Sequence, residues 1–236
     1  MQNFRKYLAL ILVVLFCAVG CKQNKTTTNL VEPDYVNVVS SEKHADAPDY
    51  EWVSNSEILF ENGKPTEFIR QTHIFDSPLA EVEVDRTCHY FQKNPLFIYE
   101  KTNTKAKWTK TKSKENDEYS VLRDLFLALL DEFKIEDKDN FFVYSVEKPI
   151  EEVKNITPVF NDVKAEKLNF SYKLEKTDDK YTLKEVLVEG RNESDVVYTK
   201  KYFIWHINEK NHIEPPMDLI KMLIKDGGKK YDNKES

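Results

Sequence analysis

Apolar and polar positions divide this chain into a short apolar leader, a polar stretch without apolar repeat, a long region of alternation, and a charged end. The leader is residues 1–20, where Arg5 and Lys6 precede an unbroken apolar run from Leu8 to Val19. Residues 21–49 are rich in Thr, Asn, Ser, Lys and Asp with two prolines, which predicts a flexible tether. Within it only Tyr35 to Val39 has the look of an edge strand. Residues 50–225 carry regular apolar periodicity and predict a single β-rich domain, and residues 226–236 predict a disordered charged tail.

Inside the domain the period is mostly two. Residues 56–61 and 66–75 flank Asn62-Gly63-Lys64-Pro65, a tight-turn signal that predicts a hairpin. In 81–91 the apolar Val82, Val84, Cys88 and Tyr90 alternate with Glu81, Glu83, Asp85, Thr87 and His89, as in a half-buried strand. A short strand at 96–101 follows the break at Asn94-Pro95, and 141–147 predicts another. In 167–176, Leu168, Phe170, Tyr172 and Leu174 share one face. The next strand, 181–189, starts with Tyr181 and Leu183 on one side and continues with Val186 and Val188 on the other, a slip of one that predicts a bulge. With 196–207 these two strands predict an antiparallel meander, and 217–225 predicts a short closing helix.

One segment has the period of a helix. In 117–134, Val121, Leu122, Leu125, Phe126, Leu129, Leu130 and Phe133 recur at spacings of three and four, with acids at the start and Lys134 at the end, where the macrodipole favours them. A membrane-surface helix would carry a basic polar face; this one bears Asp124, Asp131 and Glu132, so its apolar stripe is expected to pack on the sheet. The fold class is therefore α+β, mostly antiparallel β.

The leader has the charge, apolar core and small-residue order of a secretory signal, and at about a dozen residues its apolar run falls short of the ~20 that span a bilayer. Ala18-Val19-Gly20-Cys21 resembles the lipobox of bacterial lipoproteins, with Ala18 where that pattern has Leu. The resemblance implies removal of residues 1–20, a diacylglyceryl anchor on Cys21, and a lipid-anchored, extracytoplasmic place in the cell envelope. Loss of Arg5 and Lys6 from the 35 basic residues leaves 33 against 41 acidic, a formal charge of −8 for the remaining chain. Nucleic acid is excluded as a partner, because its binding requires basic residues to neutralise phosphates. Cys88 is then left without an internal disulfide partner, so core packing has to stabilise the domain.

The closing region, LNFSYKLEKTDDKYTLKEVLVEG followed by YFIWHINEKNHIEPP, resembles the closing strands of the LolA and LppX type of lipoprotein carrier. That resemblance implies a curved, unclosed antiparallel sheet, a half-barrel, with one main amphipathic helix packed on its concave face. It also implies an apolar hollow that takes acyl chains, with Leu168, Phe170, Tyr172 and Leu174 from the sheet and Leu125, Phe126 and Leu129 from the helix as its lining or as a core face.

No catalytic signature accompanies these patterns. Four glycines beyond the leader exclude a phosphate-cradling loop, and no G-x-S-x-G elbow is present. Histidines 44, 73, 89, 206 and 212 show no metal-ligand spacing, so neither metal nor cofactor is expected, and no enzyme. Two function classes remain open: a binder of an apolar ligand such as a lipid acyl chain, or a solid-core module that contacts an envelope or surface protein.

Overall fold

Asn62 and Gly63 both adopt positive φ, 54° and 70°, and reverse the chain between β2 (Tyr50–Glu61) and β3 (Lys64–Asp76). Two successive positive φ values match the twist of the strands they join, which is why Asn-Gly is favoured there. The computed structural model describes residues 29–76, 83–92, 97–102, 107–111, 117–206 and 212–225, with the side chains of 83–92, 97, 98, 111, 206 and 225 outside the description. Cys21, the leader and the tail 226–236 therefore lie outside the described residues, as do the side chains of Cys88 and His89.

The remaining strands are β1 (Tyr35–His44), β4 (Glu83–Gln92), β5 (Phe97–Lys101), β6 (Thr109–Thr111), β7 (Lys134–Lys138), β8 (Phe141–Pro149), β9 (Lys167–Thr177), β10 (Lys180–Asn192) and β11 (Asp195–His206). They form one antiparallel sheet in the order β6-β5-β4-β3-β2-β1-β11-β10-β9-β8-β7. From β1 in mid-sheet the strands step outward to the edge at β6, the chain crosses to the opposite edge at β7, and they step back until β11 pairs with β1. The crossing is made by α1 (Glu118–Ala128) and a 3-10 turn at Leu130–Glu132, which lie over one face of the sheet. β6 and β7 remain unpaired with each other, so the sheet stays open. Register shifts at Leu59/Phe60, Ile74/Phe75, Leu183/Glu185 and Gly190/Arg191 each add a local bend. The result is the curved, unclosed sheet with the helix on its concave side.

The bulge expected in 181–189 falls at Leu183/Glu185, and it returns Leu183, Val186 and Val188 to the same buried cluster. Two expectations are corrected. The stretch 21–49 is not tether throughout: β1 lies in mid-sheet, hydrogen-bonded to β2 and β11, with Val36 and Val38 in the concave core and Tyr35 on the other face. Its polar inner positions further on, Ser40, Glu42 and His44, are what made it look like linker. The helix expected over 117–134 ends at Ala128, because Leu129 leaves helical geometry (φ −101°, ψ 8°) and Lys134 already belongs to β7.

Two short helices complete the fold. α2 (Ile150–Ile156) buries Ile150 and Val153 beside β8 and β9. α3 (Ile220–Lys225) belongs to the C-terminal segment that covers the outer face.

Candidate ligand-binding site

Asp117 caps α1 by accepting a hydrogen bond from the Ser120 amide at 2.8 Å, which fixes the direction in which the helix crosses the sheet. From there the helix turns Leu125 and Phe126 down onto β9, and Leu129 follows from the residue after it. Leu168, Phe170, Tyr172 and Leu174 stand opposite, all fully buried, so all seven residues chosen from the sequence meet in one cluster. The Phe126 ring is 5.1 Å from Tyr172, 5.2 Å from Tyr144 and 5.1 Å from Phe133, centroid to centroid. This half of the concave face is packed with the chain's own aromatic side chains.

Towards one end of β1–β3 the concave face turns polar, and the sequence reading missed it. On β1 and β2 the inward positions past Val38 are Ser40, Ser54 and Ser56, only 1%, 7% and 2% exposed. Ser54 pairs with Thr72 of β3 through their hydroxyls at 2.8 Å, and Ser56 donates to Glu118 of α1 at 2.7 Å. Register aligns these hydroxyls with those of the apolar half. Tyr144, Tyr172, Val186, Tyr202, Ser40, Ser54 and Thr72 are successive cross-strand partners, a single row traversing six strand pairings of the concave face. All but Val186 end in a hydroxyl.

Beside this row lies an ion-pair cluster. Lys200 Nζ is 2.8 Å from Glu42 Oε2 and 3.7 Å from Glu118 Oε1, and His44 Nε2 is 2.7 Å from Glu42 Oε1. Burial works against the charge on Lys200, but the facing carboxylates of Glu118 and Glu42 outweigh it and hold the ammonium above its ordinary range. Burial likewise opposes ionisation of Glu42, and attraction to Lys200 outweighs it, leaving the carboxyl below its ordinary range. The neighbouring Tyr198 and Tyr202 hydroxyls are pushed up by burial and remain O–H groups. At the end of this cluster His44 makes edge contacts with Trp52 and Tyr198, at 5.3 and 5.0 Å between centroids. A cavity of about 130 Å³ opens beside His44 and Tyr198, crossed by the Asp46–Lys164 ion pair at 2.8 Å.

On β1–β3 the opposite end of the concave face is apolar, where Val36, Val38, Ile58, Phe60 and Phe68 join the main core, and a second apolar cluster lies on the outer face. Tyr35 and Tyr99 are buried there under Ile213, Leu219 and Leu223 of the C-terminal segment. Buried Glu67 holds that segment by accepting from the Ile213 amide at 2.9 Å and contacting His212 Nδ1 at 2.7 Å, and Lys101 pairs with Asp218 at 2.6 Å. Beyond Val38 and Ile58 the concave side of these strands carries hydroxyls and charges. Further along the outer face, Phe203 and Trp205 of β11 stack at 6.2 Å and remain 37% and 48% exposed.

Among the described residues, no group of three or more His, Cys, Asp or Glu side chains is gathered to hold a metal ion, and no helix is long and apolar enough to cross a membrane.

No protein-family model and no curated protein matches the sequence significantly. Among solved structures, the LprF protein of Mycobacterium bovis is similar over 78% of this chain and 90% of its own, with 12% identity and a TM-score of 0.50. A LolA-superfamily protein of Nitrosomonas europaea aligns over 81% of this chain and 91% of its own, at 9% identity and a TM-score of 0.32. A hypothetical protein of Chlamydia trachomatis aligns over 81% and 94%, at 9% identity and 0.31. At 12% identity the likeness to LprF shows the fold: an open, curved antiparallel sheet braced by a helix.

Proposed function

We propose that this chain is a lipid-anchored envelope protein that binds an amphiphilic lipid between α1 and the concave face of the sheet, without catalysing a reaction. The observation that carries the proposal is the division of that face. Phe126, Phe170 and Leu174 form an apolar floor of the kind an acyl chain contacts, and through Tyr172, Val186 and Tyr202 the face passes to Ser40, Ser54 and Thr72. A core that served stability alone would gain more from larger apolar side chains at those buried serine positions. Small hydroxyls leave room and offer hydrogen bonds, which suits the polar part of a lipid. Native mass spectrometry of residues 22–236 is expected to show an adduct of acyl-lipid mass. A clean apo mass from repeated preparations overturns the binding proposal.

The membrane attachment is proposed on the lipobox resemblance at Cys21, and a diacylglyceryl group would supply the two chains that stable anchoring takes. Cys21→Ser is expected to abolish incorporation of a fatty-acid label and to release the protein from the membrane fraction. Retention of both label and membrane association sinks this part alone.

A second role, contact with another envelope protein, is favoured by the exposed Phe203–Trp205 stack on the outer face. It uses the opposite side of the sheet and does not compete with lipid binding.

A further inference from the structure

Tyr172 is fully buried on β9, and among the described residues nothing accepts a hydrogen bond from its hydroxyl. Its ring is flanked by Phe126 at 5.1 Å, Phe133 at 5.5 Å and Phe170 at 6.4 Å, and the polar group felt by its hydroxyl is that of Tyr202. Packing does not explain the oxygen, because Phe170, two residues earlier on the same face and equally buried, fills its place without one. Burial holds the Tyr172 hydroxyl protonated, so it is a donor with no acceptor. A buried polar group left in that state destabilises the fold, and such groups are rare unless something else completes them. The position of Tyr172 in the transverse row of Tyr144, Tyr202, Ser40, Ser54 and Thr72 gives the oxygen a place in a larger pattern.

Resting on the lipid-binding proposal above, we infer that the lipid taken under α1 is an acyl ester, and that Tyr172 selects it by donating its hydroxyl proton to the ester carbonyl. The acceptor has to be uncharged, because the buried, aromatic surroundings of Tyr172, with no cation among the described residues acting on its hydroxyl, would penalise a carboxylate. An ester carbonyl is neutral and adjoins an acyl chain, which would place the chain against Phe126 and Phe170. A free fatty-acid anion and a plain hydrocarbon both fail, the first by its charge and the second by leaving the hydroxyl unpaired. Further hydroxyls along the row then meet whatever polar part lies beyond the ester.

The test uses the full-length protein in isolated membranes and two photoactivatable alkyl-diazirine probes of equal chain length, one a methyl ester and one a hydrocarbon. Peptide mass spectrometry locates the label, which is expected on the segments carrying Phe126, Phe133 and Tyr144. The ester should reach half-labelling at a concentration about tenfold lower than the hydrocarbon, the worth of one buried hydrogen bond. Tyr172→Phe should erase that preference, leave hydrocarbon labelling unchanged, and melt no lower than the parent. Ester preference that survives in Tyr172→Phe overturns the inference, and this is the result expected where the hydroxyl is satisfied by a buried water only. Preference lost together with hydrocarbon labelling overturns it too, since Tyr172 would then be a packing residue. Absence of site-directed label from both probes overturns this inference together with the lipid-binding proposal.

Discussion

Phe126→Ala is expected to lower the unfolding free energy by about 3–5 kcal/mol, the range for removing a fully buried aromatic ring. Phe126 is the point at which α1 meets the sheet: its ring touches Tyr172 and Tyr144 from two strands and Phe133 from the segment leading into β7. None of these neighbours can readily collapse into the space, because each is a ring held by its own strand or by the next contact, as with Phe133 against Tyr144 at 5.9 Å. The loss should appear as a fall in the urea midpoint with the slope unchanged, since the surface exposed on unfolding hardly alters. Leu127→Ala on the same helix is the control. Leu127 is 46% exposed, so its replacement should stay within about 0.5 kcal/mol of the parent. If Phe126→Ala costs no more than Leu127→Ala, α1 is not packed on the sheet, and the site described above does not exist.

The parts of the fold that were legible in the sequence are those where local chemistry and long-range packing ask for the same residue. Leu168, Phe170, Tyr172 and Leu174 alternate because β9 has one face in the core, and Asn62-Gly63 is required by the positive φ of the turn it makes. β1 was not legible, because its inner face turns from Val36 and Val38 to Ser40, Glu42 and His44 as it passes from one half of the concave face to the other. A strand with two chemistries along one face has no period to read. β7, with KIEDK exposed throughout, is a strand only through its pairing with β8. The apolar half of the candidate site was therefore visible and the polar half was not. Lys200, Glu42, Glu118 and Ser56 are ordinary surface residue types in sequence, and only register and the crossing of α1 bring them together. The sequence also carried no sign that the C-terminal segment covers the outer face of β1–β5.

Lys200→Met should also be costly at neutral pH, about 2–3 kcal/mol and below the range for a fully buried pair, because it removes the ammonium that faces the half-buried carboxylates of Glu42 and Glu118. The distinguishing feature is the pH dependence. In the parent protein, the Glu42 carboxyl is held below its ordinary value of 4.5, so its contribution is present above that value and is lost as pH falls through the folded-state pKa. Lys200 is held above its ordinary 10.5, so its contribution is complete below that value and is lost as pH rises through the folded-state pKa. The Lys200–Glu42 pair therefore gives the parent a constant contribution between roughly 4.5 and 10.5. Methionine at 200 leaves His44 as the group that opposes burial at Glu42, and adding His44→Ala leaves burial in control of the carboxyl, whose folded-state pKa should then lie above its unfolded one. The folded double variant would bind a proton that the unfolded chain does not, so its stability should rise as pH falls from 7 towards 5, where the Lys200–Glu42 pair of the parent contributes no change. Adding Glu118→Gln to Lys200→Met should recover part of the loss at pH 7, since it removes one of the two facing charges. Urea midpoints at pH 5 and pH 7 decide the matter. A Lys200→Met midpoint equal to the parent at pH 7, or a double-variant midpoint that falls on acidification, would mean that solvent rather than Lys200 compensates Glu42 and Glu118, and that the polar end of α1 is not fastened to the sheet by charge.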